Sequence, residues 1–274
     1  MQFVLFTDNL QSLPVAQLCA EAKKLGFEGL DLTLRPGGHV EPENAEAGLA
    51  EAKRAADEAG MTVPMVTTAV TDADSPHAEQ VFASAAHYGA RRLKLGYWRY
   101  EPFGTLTRQL DEARRRMERL ARLGEKYHVL PCVHCHSGHV LANGGALLYL
   151  LLRDFKPSEA GAYVDPMHMA VEGGLAGWEM GLDLLAPWVA LVGVKNFRWE
   201  PAGRDDRTGQ ARFQPAYVPL ADGMAPLPEF FAYLKKPVGY DGVVSVHAEY
   251  KGMNPRQLLE QAGRDVEYLR RVAR

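Results

Sequence analysis

The sequence of 274 residues predicts an α/β protein, folded as a single (β/α)8 TIM barrel over residues 1–274. Three observations predict it. Short β-branched or apolar runs alternate with segments of helical periodicity along the whole chain, a pattern that selects a parallel sheet covered by helices. Eight such runs fall within a length that suits one closed barrel of about 250 residues. An open, doubly wound sheet would more often carry a Gly-rich phosphate turn after its first strand, and "FTDNLQSLP" has none.

The strand candidates are "FVLFTD" (3–8), "GLDLT" (29–33), "TVPMVTT" (62–68), "RLKLGYW" (92–98), "VLPCVHCHS" (129–137), "AYVDP" (162–166), "ALVGVKNF" (190–197) and "GVVSVHAEY" (242–250). Between them, "PVAQLCAEAKKLG" and "QLDEARRRMERLARLGEKY" show the clearest three- and four-residue apolar spacing. Gly26, Gly60, Gly89 and Gly124 mark helix ends, since glycine adopts the left-handed conformation that closes a helix. Residues 199–225 are polar and rich in Gly and Pro, and read as a long irregular loop of the kind that often covers a site. No linker interrupts the pattern.

Composition narrows the partners. The net charge is −3 with acidic and basic residues mixed, so no basic stripe argues for nucleic acid. The longest apolar run, "GGALLYLLL", is too short to span a bilayer, so no membrane partner is expected. Three cysteines make no disulfide framework, which favours a reducing, cytoplasmic location. The opening "MQFVLFTDNL" enters a strand without a basic leader, so no signal peptide is expected in the chain as given.

The stretch "PCVHCHSGHV" (131–140) contains C-x-x-C-H, which admits haem attachment, a redox pair or a Cys-based zinc site. Strand alternation argues against all three. Cys132, His134 and His136 share one face, while Cys135 lies on the other, so the thiols cannot act together. That leaves His134 and His136 at the C-terminal end of the fifth strand, where this fold carries its chemistry. The following strands end in kind. The sixth carries Asp165 and His168, the seventh Lys195 and Asn196, and the eighth His247 and Glu249. Packing alone does not explain so many ionisable groups at adjacent strand ends, because burying them unpaired is costly. At the same rim, His39 in "LRPGGHVEP" and Arg99 in "YWRY" are candidates to bind substrate, and Asp31 to orient other side chains. His77, His87 and His128 lie away from the rim and read as structural.

The segments "GFEGLDL" (26–32), "DPMHM" (165–169) and "YDGVVSVHAEY" (240–250), in this order and spacing, resemble the xylose-isomerase-like sugar isomerases and epimerases. That superfamily includes ketose 3-epimerases, hydroxypyruvate isomerase and inosose dehydratase. The resemblance implies a divalent ion held by a glutamate after the fifth strand, an aspartate after the sixth, a histidine on the seventh and a glutamate on the eighth. The corresponding positions here are His134, Asp165, Gly193 and His247, so only Asp165 is unchanged. His134, Asp165 and His247 are thus the implied metal ligands, a set that suits Mn, Zn or Fe better than Mg. The resemblance also implies substrate contacts from His168 and Arg198. His136, on the same strand face as His134, is a further candidate to bind substrate.

A metal-dependent sugar or polyol isomerase or epimerase is therefore the expected function, working by proton abstraction next to a carbonyl. His168, Lys195 or Glu249 is the expected base, since a metal-bound imidazole has no free pair to accept a proton. The missing glutamate pair makes β-elimination from a keto-sugar or keto-glycoside a competing reaction, and a non-catalytic sugar-binding barrel a third reading. Family members are often dimers or tetramers, so the resemblance allows a homo-oligomer.

Overall fold

Period-two alternation sorts each strand residue onto one of two buried faces, and in the computed structural model those faces form the inside and outside of a barrel. The structure describes residues 1–274, the side chain of Leu175 excepted. Strands β1 (Gln2–Phe6), β2 (Gly29–Leu34), β3 (Thr62–Thr68), β4 (Arg92–Lys94), β5 (Leu130–His134), β6 (Gly161–Val164), β7 (Val189–Val194) and β10 (Val243–Val246) close in the order β1-β10-β7-β6-β5-β4-β3-β2. All neighbouring pairs are parallel. The outward residues, such as Leu5, Leu32, Val66, Leu93, Val133, Val192 and Val246, join the large apolar layer beneath the helices.

The surrounding helices are α1 (Val15–Lys24), α2 (Ala45–Glu58), α3 (Ala78–His87), α4 (Leu106–Tyr127), α5 (Gly144–Leu152), α6 (Pro166–Leu185), α7 (Leu227–Lys235) and α8 (Pro255–Val272). Helix α6 is interrupted at Gly174, whose φ of 61° lies outside the helical region. Among the described residues no helix is long and apolar enough to cross a membrane.

Three expectations need correction. Gly124 does not end its helix. α4 runs on to Tyr127, and His128 makes the left-handed turn at φ 55°. Gly124 is small because a Cβ there would lie 2.6 Å from the Val129 carbonyl oxygen and 2.7 Å from the Pro131 ring. The fourth strand is short: the chain leaves the sheet after Lys94, and Gly96 donates to the Val70 carbonyl at 2.7 Å. Finally, most of residues 199–225 is not irregular. β8 (Asn196–Arg204) and β9 (Ala211–Val218) form an antiparallel hairpin, in one register from Asn196↔Val218 to Pro201↔Phe213 and shifted before Arg204↔Ala211. Pro201 and Pro215 hide this from the sequence, yet each strand of a two-stranded ribbon has an open edge where proline is tolerated. The buried Asn196 ties the hairpin down. Its Nδ2 donates to the Leu220 carbonyl, and its Oδ1 accepts from the Phe197 and Ala225 amides.

Candidate functional site

The inner face of the wall changes character along its length. Val4, Met65, Cys132, Tyr163, Leu191 and Val243 pack an apolar plug inside the barrel. Two or four residues further along the same faces stand Phe6, Thr67, His134, Asp165, Lys195 and His247. Cys132 belongs to this inner plug and Cys135 to the outer layer, so the two thiols lie on opposite sides of the wall. Above the plug is a cavity of about 160 Å³, lined among others by Lys94, Tyr97, His134, His136, Lys195, His247 and Glu249. A groove of about 1150 Å³ beside the hairpin shares the lining residues Tyr217 and Glu249 with this cavity.

Local structure explains the centre of the site. Asp165 directly follows β6 and caps α6: its Oδ1 accepts from the amides of Met167 (2.9 Å) and His168 (3.3 Å). Pro166 at the first helical position and the side-chain cap fix this start. The other oxygen, Oδ2, is buried and has no hydrogen-bond partner. His134 Nε2 lies 3.7 Å from it and His168 Nε2 3.9 Å, and both nitrogens are likewise buried without partners. The far nitrogen of each ring is held, His134 Nδ1 by the Tyr97 hydroxyl at 2.9 Å and His168 Nδ1 by Ser137 Oγ at 2.8 Å. Burial drives both imidazoles well below their ordinary pKa, so both are neutral and offer lone pairs. Burial also raises the Asp165 carboxyl to about 6, against the pull of Lys195 and His247.

Three orphaned donor atoms within 4.8 Å of one another, from His134, Asp165 and His168, fit a divalent cation. Two neutral nitrogens and one carboxylate oxygen are a donor set for Zn, Mn or Fe rather than Mg. A hydrogen-bond partner on the far nitrogen, supplied here by the Tyr97 and Ser137 hydroxyls, fixes the orientation of such a ligand. Among the described residues this is the group with that geometry.

His247 lies outside the group. Its Nε2 meets the Tyr163 hydroxyl at 2.9 Å, and its ring stacks on Phe6 at 4.2 Å. Its Nδ1 is buried without a hydrogen bond, 3.8 Å from Glu249 Oε2. Tyr163 in turn reaches Asp31, which also accepts from Thr67 (2.8 Å) and Ser245 (2.7 Å). Lys195 Nζ pairs with Glu249 Oε2 at 2.6 Å. Burial is the largest single influence on both and opposes their charge, but it is outweighed together by Glu249 and Asp165 around Lys195, and by Lys195 and His247 around Glu249. The Glu249 carboxyl is held well below its usual range, and the Lys195 ammonium well above its own.

The cavity thus gathers His134, His136, Lys195, His247 and Glu249. Asp165 and His168 stand fully buried behind it, with the His136 ring 3.8 Å from that of His168. Three residues singled out from sequence are not brought in. His39 has both nitrogens engaged, by Thr33 Oγ1 and the Leu10 carbonyl. Arg99 is exposed and lines a separate depression with Trp98 and Arg116. Arg198 lines the groove beside the hairpin, with its guanidinium on Glu200 at 2.8 Å. Asn196 is structural. Sequence reading missed Lys94, Tyr97 as the partner of His134, and Tyr163. Period-two counting back from His134 and Asp165 along their strands was the available signal for Tyr163.

The chain belongs to the xylose isomerase-like TIM barrel family, whose profile matches residues 19–272. No curated protein matches it in sequence. Its fold is similar to that of the 3-keto-D-glucoside 4-epimerase YcjR from E. coli, with a TM-score of 0.74, 13% identity and 99% of each chain covered. D-psicose 3-epimerase is similar with a TM-score of 0.72 and 14% identity, over 100% of this chain and 99% of that one. The probable 3-DHS dehydratase AsbF from Bacillus anthracis follows at 0.71 and 17%, over 96% and 97%.

Proposed function

We propose that this barrel, working as one domain, is an enzyme that moves a proton at the carbon beside a carbonyl of a sugar or polyol. The observation that carries the reading is the convergence of three buried, partnerless donor atoms from His134, Asp165 and His168 beside a cavity into which a fourth side chain, His247, projects. His134, Asp165 and His168 would hold one Zn, Mn or Fe ion. Such an ion polarises a carbonyl and its neighbouring hydroxyl, which makes the adjacent C–H acidic.

The protein's own groups supply the rest. His247 takes the proton at Nδ1. The hydrogen bond at Nε2 fixes the tautomer: Nε2–H donates to the Tyr163 oxygen, whose own hydrogen points to Asp31. Glu249, 3.8 Å from Nδ1, then faces the imidazolium that forms. The Lys195–Glu249 pair is locked in its charged form, so it binds and orients substrate oxygens rather than trading protons. His136 donates from Nδ1 to the Ser137 carbonyl at 2.8 Å, which leaves Nε2 to accept from a substrate hydroxyl. The similarity of the fold to sugar epimerases supports the reaction class.

Elimination of a β-substituent is the second reading. Inversion needs proton donors on two opposite faces, and both glutamate positions of the family pattern are histidines here, His134 and His247. Elimination can run through one group that takes the proton and returns it to the leaving hydroxyl, and His247 Nδ1 is a buried imidazole nitrogen without a hydrogen-bond partner outside the metal-holding group. The experiment is incubation of the Zn- or Mn-loaded protein with keto-sugars in D2O. Deuterium is expected at the carbon next to the carbonyl, or a β-hydroxyl is lost, and both disappear in His247→Ala. Turnover unchanged in His247→Ala would refute the assignment of the base. Tight binding with neither exchange nor loss would leave a sugar-binding barrel.

A further inference from the structure

Charges around the cavity do not cancel evenly. Three cationic side chains line it: Arg35, Lys94 and Lys195. Two have carboxylate partners: Arg35 Nη2 lies 2.7 Å from Asp8 Oδ1, and Lys195 Nζ lies 2.6 Å from Glu249 Oε2. Lys94 has none among the described residues. Its side chain is buried, with 2% of the residue exposed, and its Nζ lies 3.7 Å above the centre of the Tyr97 ring. The nearby Asp31 accepts from Thr67, Ser245 and Tyr163 and attracts Lys94 through space without pairing with it. A buried ammonium with only an aromatic face for company is costly. Burial, then the Arg35 charge, pulls it down to about 7, so a bound anion would restore its charge.

We infer that the substrate carries a carboxylate received by Lys94, so that the proposed reaction acts on a sugar acid rather than a neutral sugar. The inference rests on the proposed function, since it places this carboxylate on the molecule whose carbonyl reacts. Tyr97 links the two ends. The face of its ring covers the Lys94 ammonium and its hydroxyl, at the ring edge, holds His134, so one aromatic residue touches both the unpaired cation and the metal-holding group. A carboxylate fits better than a phosphate. One unpaired cation in about 160 Å³ matches a single negative charge, whereas a phosphate brings nearly two charges and three acceptor oxygens.

The test compares D-fructose with hexulosonates in which C1 or C6 of the same carbon chain is a carboxylate, and with D-fructose 6-phosphate. Calorimetry on the metal-loaded protein should show one of the acids binding about tenfold or more tighter than fructose, as a charge-assisted hydrogen bond provides. The preference should vanish in Lys94→Met and persist in Lys94→Arg. Equal binding of acid and neutral sugar, no binding of either acid, or tighter binding of the phosphate would overturn the inference. So would borohydride trapping of a keto-sugar on Lys94, which would make the amine a nucleophile. The two readings fail separately. Neutral sugars that exchange deuterium without an acid preference would sink this inference alone. Acids that bind through Lys94 without exchange or elimination would sink the proposed function alone.

Discussion

Tyr163 and Gly193 face each other inside the barrel and explain each other. A Cβ on Gly193 would lie 3.0 Å from Tyr163 Cε2 and 3.2 Å from its hydroxyl. The tyrosine ring therefore fills the space that a seventh-strand side chain would take, and its hydroxyl holds His247 instead. Gly193→Ala should force that ring to move. An overpacking cost of about 1–3 kcal/mol is expected in denaturant unfolding, and it should shrink when combined with Tyr163→Leu. Additive costs would show that the two do not touch. Lys94 yields a second expectation. Its unfolded pKa is near 10.5, and burial lowers it to about 7 in the folded protein. The unfolded chain therefore binds more protons between pH 7 and 10.5, and stability rises with pH across that window. Below about pH 7 the buried ammonium carries its full cost. Lys94→Met should accordingly be more stable than wild type by a few kcal/mol (order of magnitude) near neutrality. That gain should fade as pH approaches about 10, which thermal unfolding across pH would show; a gain independent of pH would contradict it. Arg35, Asp31, Lys195, Asp8 and Tyr97 are the charged and titratable groups around Lys94 in this argument.

At the scale of elements, the joint between β6 and α6 carries the site. Asp165 directly follows the strand, caps the helix and supplies a donor atom to the proposed metal-holding group. Its two oxygens divide these tasks, Oδ1 capping and Oδ2 facing His134 and His168. Asp165→Asn should keep the cap and lose the ion. Asp165→Ala should lose both, with about 1 kcal/mol less helix stability in chelator-treated protein. Equal melting of the two variants without metal would argue against the cap. All eight barrel strands were legible in the sequence because their apolar runs are short and regularly spaced. The hairpin was not, because two prolines and many polar residues mask a ribbon whose outer face meets water. The strand ends pointed to His134, Asp165, His168, Lys195, His247 and Glu249. Spacing alone did not decide which histidine joins Asp165. Strand alternation places His134 and His247 on the inner face alike, and only helical geometry brings His168, one turn into α6, back towards Asp165 Oδ2. Arg99, Arg198 and His39 show the opposite limit, since their position near the rim in sequence does not fix where a loop or hairpin aims them.

Across the whole molecule, the barrel concentrates cost in one place. Its outer layer and inner plug are apolar, while His134, Asp165, His168 and His247 each keep an unsatisfied buried atom. Such atoms destabilise a fold unless something binds them. Ion binding should therefore stabilise the whole protein by mass action, by about 2.7 kcal/mol at a free concentration one hundred times Kd. The most direct measurement is the metal content and melting temperature of wild type, His168→Ala and His247→Ala after loading with Zn or Mn and removal of excess. About one ion per chain, with a raised melting temperature, is expected in wild type and His247→Ala, and neither in His168→Ala. Metal retained by His168→Ala but lost from His247→Ala would contradict it, moving the ion to the eighth strand and removing His247 as the base.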